Sequence, residues 1–191
     1  MSEPGEKVDL ERSIVHFYSY PFVLVTCADE EGKPNIIAIG ASAPCSYNPP
    51  TIGIAVALQR YSHGLIAGRG EFGVNIPRAA DLEKADLCGS VSGRDTDKFA
   101  AAGFTAIPGR AIAVPMIAEC PVNLECRLVH TANLGSHDWF IGEVVSARAD
   151  ADVVTGEGQV DRDRIDGVFS TWGQYYAPGR KLERWGFGGE R

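Results

Sequence analysis

Arg60-Tyr61-Ser62-His63 sets a guanidinium, a hydroxyl and an imidazole side by side, just where the chain begins to read as a helix. The first turn of a helix exposes backbone amides and carries the positive end of the helix dipole, so an anion such as a phosphate fits there. The same four residues equally suit a surface helix start with a solvated arginine. A second cation, Lys98, lies near the start of another helix in Ser92-Gly93-Arg94-Asp95-Thr96-Asp97-Lys98-Phe99, where a positive charge does not complement the dipole. That placement suits an anionic partner, or a lysine that is merely exposed. The stretch from Gly40 to Pro50 follows a strand and is rich in small residues, among them Ala41, Ser42, Cys45 and Ser46. Its backbone can approach a flat ligand closely, or it is an ordinary loop shaped by three prolines. His137-Asp138 precedes a strand and reads as a turn rather than a catalytic pair.

Other sequence signals exclude chemistry. Gly68-Arg69-Gly70-Glu71-Phe72-Gly73 spells G-x-G-x-x-G, but a helical segment precedes it and a strand follows. The dinucleotide fingerprint needs the reverse order, so these glycines read as a helix stop and a turn. No phosphate-binding P-loop, nucleophile elbow or H-E-x-x-H motif is present. The five cysteines, Cys27, Cys45, Cys88, Cys120 and Cys126, include no C-x-x-C and suit reduced, buried thiols. If Cys120 to Leu128 is a strand, Cys120 and Cys126 lie roughly 20 Å apart and cannot share a metal. The four histidines, at 16, 63, 130 and 137, also miss metal-ligand spacings.

The elements that must position these residues are mainly strands. Phe22 to Cys27, Asn35 to Ala41, Thr51 to Leu58, Phe72 to Ile76, Val122 to His130 and Trp139 to Ala147 are short, Val- and Ile-rich runs bounded by turn formers. The turn cluster Asp29 to Pro34 makes the first two a hairpin. Helices are expected over Ser62 to Ala67, Leu82 to Cys88 and Thr96 to Ala102. Their N-caps would be Ser62, Asp81 and Asp95, and Gly68, Gly89 and Gly103 would stop them. The economical architecture is a mainly β, closed antiparallel barrel with short peripheral helices, since closure removes aggregation-prone edges. Residues 1–149 carry this domain. Residues 150–191 form an extension in which Phe169, Trp172, Tyr175, Tyr176, Trp185 and Phe187 wrap a surface of this chain or of a partner, or touch a ligand.

The chain has 191 residues, 45% of them hydrophobic and 23% charged, with a net charge of -7. That is one ordinary globular domain, and its acidity argues against tracking nucleic-acid phosphates. Any anionic ligand must then be held by a few placed cations. No apolar run approaches the roughly 20 residues that span a bilayer, and no secretory leader is visible, so the expectation is a cytoplasmic protein that enters no membrane.

Several segments, in order, resemble the flavin reductase-like family of FMN-binding split barrels, and most of all its flavoredoxin branch. They are Gly32-Lys33-Pro34-Asn35, Ser46-Tyr47-Asn48-Pro49-Pro50, Arg60 to Ile66, Glu71-Phe72-Gly73-Val74-Asn75, Ser92 to Phe99, Cys120 to Cys126, and Phe140-Ile141-Gly142-Glu143-Val144. The resemblance implies an antiparallel split β-barrel, a homodimer and FMN at the dimer edge. It implies that Asn35 touches the flavin system and that the Ala41 to Ser46 loop lines it. By the same carry-over, Ser62 and Lys98 hold the phosphate, His137 lies near the cofactor and Phe169 covers the ring. Arg60 and His63 complete a set of local cations and amides for the dianion. Flavoredoxin-type members commonly carry a tryptophan where this chain has Ala41, which leaves one side of the implied pocket open.

Three functions follow. The first is an FMN-dependent oxidoreductase that takes electrons, as hydride, from NAD(P)H and passes them to a flavin, ferric or protein acceptor. In that reading no residue acts as general acid or base, because the flavin carries the chemistry. The second is an electron-transfer protein with FMN and a redox partner but no direct NAD(P)H oxidation. The third is a cofactor-free dimeric binding module.

Overall fold

The computed structural model describes Asp9, residues 20–171 and residues 173–179. Twelve strands and four α-helices follow one another through these residues. The strands are β1 (Tyr20–Pro21), β2 (Val23–Ala28), β3 (Pro34–Ile39), β4 (Ser42–Tyr47), β5 (Pro50–Ala57) and β6 (Glu71–Ile76). They continue with β7 (Ala106–Ile107), β8 (Met116–Ile117), β9 (Val122–Asn133), β10 (His137–Ala149), β11 (Phe169–Thr171) and β12 (Gln174–Tyr176). The helices are α1 (Tyr61–Arg69), α2 (Leu82–Ser90), α3 (Lys98–Ala102) and α4 (Arg162–Ile165).

Seven strands form one antiparallel sheet in the order β3-β2-β6-β9-β10-β5-β4. The sheet curls until β3 comes alongside β5, which gives a split barrel with its opening between the edge strands. All six strands read from the sequence are present, each with its ends shifted by three residues or fewer. Cys120 lies in a turn just before β9 rather than inside the strand. The hairpin between β2 and β3 turns through Asp29–Lys33, where the Lys33 N–H donates to Asp29 Oδ1 at 2.8 Å.

Strand β2 explains how the core divides. Alternate residues point to opposite faces, and both faces of β2 are buried. Val23, Val25 and Cys27 face the barrel interior with Ile37, Ile54, Phe72 and Phe140. Phe22 and Leu24 face outward beneath α2 and α3, against Ile36, Ala85, Cys88 and Phe99. Each large side chain buried in this way contributes about 1.5–3 kcal/mol. Helix α1 closes the barrel by placing Ile66, fully buried, in the interior cluster. It runs two residues further than the sequence suggests and stops at Gly70, whose φ of 71° is left-handed. Gly89 lies inside α2, and Gly103 ends α3 with a φ of 66°.

Two buried asparagines lock the next layer. Asn75 on β6 faces Asn123 on β9. The Asn75 carboxamide oxygen accepts from Ile117 N and Asn123 Nδ2, both at 3.0 Å, and its NH2 donates to Leu24 O at 3.1 Å. The C-terminal segment then returns to the barrel. Phe22 N donates to Val168 O at 3.0 Å, β11 pairs with β1, and Val153 and Ile165 pack on Val122. Trp172, Trp185, Phe187 and His16 lie outside the described residues.

Candidate functional site

Helix α1 begins where β5 ends. Arg60 caps it in an extended conformation, and Ser62 in its first turn is buried. Directly opposite, the turn after α2 carries Ser92, Gly93 and Arg94 and leads into α3, whose first residue is Lys98. These two chain segments enclose a hollow of about 170 Å³ lined by Arg60, Ser62, Ser92, Gly93, Arg94 and Lys98, among others. No Asp or Glu among the described residues lines it. Three cations and two serine hydroxyls without a facing carboxylate make a receptor for an anion with several acceptor oxygens.

Lys98 is the unusual member. It is 4% exposed, and its ammonium donates to Cys88 O at 2.7 Å. Among the described residues it forms no ion pair with a carboxylate. Burial pushes its pKa down, and the Arg60 guanidinium pushes the same way. The neighbouring Cys88 and Cys27 offset this only in part, and burial lifts both thiols to about 11. A buried cation without a counter-ion is costly. A bound phosphate would relieve that cost.

Asn35 lies beneath the hollow rather than on its wall. Its NH2 donates to Ser62 Oγ at 2.8 Å and reaches Cys27 Sγ at 3.6 Å. Its Oδ1 is buried without a partner, pressed against Gly93, where a Cβ would sit 2.1 Å away. Arg94 stacks over the Tyr61 ring at 5.4 Å. Arg94 was not among the site residues expected from the sequence, which carries no signal that separates it from a solvated turn arginine.

The other sequence-derived candidates lie elsewhere. His63 Nε2 meets Asp138 Oδ2 at 2.8 Å, and its ring sits 5.0 Å from Phe140, so it faces β10 instead of the hollow. Asn133 holds the other Asp138 oxygen at 2.9 Å. Ala41 to Ser46 is not a loop: Ser42 to Ser46 belong to the edge strand β4, paired with β5. Within it Ser42 is buried, Cys45 is exposed, and Ser46 Oγ accepts from Asn48 N at 3.2 Å. His137 is exposed at the start of β10, beside Ser136 Oγ at 2.9 Å. Phe169 pairs with Pro21 in the ladder from β1 to β11. The structure therefore brings together Arg60, Ser62 and Lys98, with Asn35 as their support. Ala41, Ser42, Cys45, Ser46, His63, His137 and Phe169 do not line the hollow.

An antiparallel split barrel with a cation-lined hollow at a helix start defines a class of proteins suited to holding a phosphorylated ligand. The chain belongs to the flavin reductase like domain family, whose sequence model matches residues 15–164. The uncharacterized protein YddH of Escherichia coli (strain K12) is 38% identical over 170 residues, which is 83% of this chain and 90% of that one. An NADH:riboflavin 5'-phosphate oxidoreductase of Streptomyces pristinaespiralis is 29% identical over 128 residues, 67% of this chain and 70% of its own length. The crystal structure of a flavoredoxin from Methanosarcina acetivorans superposes with a TM-score of 0.90 at 31% identity, over 97% of this chain and 98% of that one.

Among the described residues no helix is long and apolar enough to cross a membrane. Nor does any cluster of three or more histidine, cysteine, aspartate or glutamate side chains there suit a metal ion.

Proposed function

We propose that this chain is an FMN-dependent oxidoreductase of the flavin reductase kind, reduced by NADH or NADPH and oxidised by a flavin, ferric or protein acceptor. The observation that carries the reading is Lys98, buried and, among the described residues, without a carboxylate partner, beside the start of α1. Arg60, Arg94 and Lys98 supply the charge for a phosphate dianion, and Ser62 and Ser92 supply hydroxyls. Asn35 fixes the Ser62 hydroxyl and leaves a buried acceptor behind the cavity wall. FMN, when bound, supplies hydride and single-electron chemistry, so the protein needs no nucleophile or acid–base pair of its own. The relationship to an NADH:riboflavin 5'-phosphate oxidoreductase supports the choice of donor. Titration with FMN and with riboflavin tests the site. FMN should bind and riboflavin, which lacks the phosphate, should bind far more weakly; equal affinities would refute the phosphate assignment.

The likeness to a flavoredoxin favours a second reading, an FMN electron carrier that does not oxidise NAD(P)H itself. Stopped-flow mixing separates the two: bleaching of the flavin band by NADH or NADPH supports the reductase, and no bleaching by either supports the carrier. We also read the working unit as a homodimer. The exposed edge strand β4, with Tyr47 87% exposed, supports this, and sedimentation equilibrium tests it.

A further inference from the structure

Helix α1 lies against β2, β3 and β5, and two adjacent residues of its first turn are held by different strands. Asn35 on β3 donates to Ser62 Oγ at 2.8 Å, under the hollow. His63 Nε2 meets Asp138 Oδ2 on β10, also at 2.8 Å, and its ring rests 5.0 Å from the buried Phe140. Asp138 is committed to this contact: it is buried, and Asn133 Nδ2 donates to its other oxygen at 2.9 Å. A carboxylate one side chain removed from a phosphate receptor opposes anion binding by its charge alone. The path of the chain shows what it supplies instead.

In the ladder Asp138 stands opposite Val56 of β5. From Val56 the chain runs through the exposed link Leu58-Gln59-Arg60 into α1, and His63 brings it back to Asp138. The contact therefore closes a short loop on the ladder partner of the residue where the loop began. Arg60 and Ser62, both of which line the hollow, lie inside that loop. Closing so short a loop restricts its backbone before any ligand arrives.

We propose that Asp138 and His63 are positioning residues for the phosphate: their hydrogen bond holds the first turn of α1 so that Arg60 and Ser62 are in place when the anion arrives. The inference rests on the phosphate assignment above. Without the contact, binding has to order the link itself, which weakens affinity roughly tenfold for each backbone residue fixed. Charge and position predict opposite signs. Removing the Asp138 carboxylate strengthens anion binding if only its charge matters, and weakens it if the tether matters.

The test titrates FMN and riboflavin into the wild type, Asp138→Ala, Asp138→Asn, His63→Phe and the double variant of His63→Phe with Asp138→Ala, well below the Tm of each. Asp138→Ala should raise the FMN Kd about tenfold and leave the riboflavin Kd unchanged. Asp138→Asn, whose amide can donate to Nε2 of the neutral imidazole, should bind FMN at least as tightly as the wild type. His63→Phe keeps a ring against Phe140 without the hydrogen bond and should also weaken FMN binding, and the double variant should lose no more than the weaker of the two single variants. FMN affinity in Asp138→Ala equal to or above that of the wild type overturns the inference and spares the phosphate assignment. Riboflavin affinity falling in step with FMN affinity overturns it by reducing the contact to a general structural role. Asp138→Asn falling as far as Asp138→Ala overturns it as well, because the retained hydrogen bond then positions nothing. A wild type that binds FMN and riboflavin equally overturns the phosphate assignment and this inference with it.

Discussion

The side-chain amide of Asn35 donates to Ser62 Oγ across 2.8 Å, and so pins strand β3 to the first turn of α1 under the cationic hollow. The two residues are 27 positions apart in the chain. Their contact converts a surface helix start into one wall of a site whose opposite wall is the turn from Ser92 to Arg94.

That opposite wall tolerates no side chain at Gly93. A Cβ there would lie 2.1 Å from Asn35 Oδ1 and 3.0 Å from the Tyr61 ring. Gly93→Ala should therefore cost about 1–3 kcal/mol of stability through overpacking. It should also weaken FMN binding, because Asn35 must give way. Thermal unfolding and FMN titration check both; an unchanged Tm with full FMN affinity would contradict the packing described.

Lys98 gives the site a pH dependence. Burial, reinforced by Arg60, holds its pKa below the ordinary lysine range, so the folded state binds this proton less tightly than the unfolded chain does. Between the folded and unfolded values, stability therefore rises as pH rises. Phosphate binding goes the other way: FMN affinity should fall as pH climbs through the lowered value and the ammonium is lost. Measuring the FMN Kd against pH in the wild type and in Lys98→Met should show this alkaline loss in the first and not in the second.

A buried carboxylate contributes to acid stability. Glu125 is fully buried on β9, and its Oε2 accepts from Arg110 N at 2.8 Å, Ala111 N at 2.6 Å and Ile112 N at 3.2 Å. Burial alone would raise its pKa, yet these N–H groups hold it below the ordinary glutamate value. A depressed folded value means stability that is complete above the unfolded pKa and is lost as pH falls through the folded one. Glu125→Gln should cost about 3 kcal/mol near neutrality and flatten the acid limb of a denaturation curve. Equal acid sensitivity in the two proteins would contradict this role.

Thiol reactivity checks the burial pattern. Cys27, Cys88, Cys120 and Cys126 are buried, and burial raises all four pKa values, to about 12 for Cys126. Cys45 is exposed on the edge strand. An aromatic disulfide reagent should label Cys45 quickly in the native protein and the other four only after denaturation.

Much of this arrangement was legible in the sequence, and the failures have local causes. Strands β2, β5 and β6 are apolar runs between turn formers, so burial and pattern agree. Strand β4, Ser-Ala-Pro-Cys-Ser-Tyr, has no apolar alternation because it is a mostly exposed edge, where Pro44 is tolerated. Lys98 announced itself by its awkward place at a helix start. Arg94 did not, since an arginine in a turn looks the same whether it faces solvent or a cavity. His63 turns away from the hollow, toward Asp138 and Phe140 on β10. Its partner Asp138 lies 75 positions away and leaves no local trace.

The account depends on a phosphate gripped by Lys98 beside Arg60 and Ser62, and the most direct measurement is FMN fluorescence quenching by the wild type and by Lys98→Met, with riboflavin alongside. The account predicts that Lys98→Met loses about 1.5–3 kcal/mol of FMN affinity and binds riboflavin as the wild type does. Identical FMN affinity in the two proteins, or no quenching by the wild type, would contradict it.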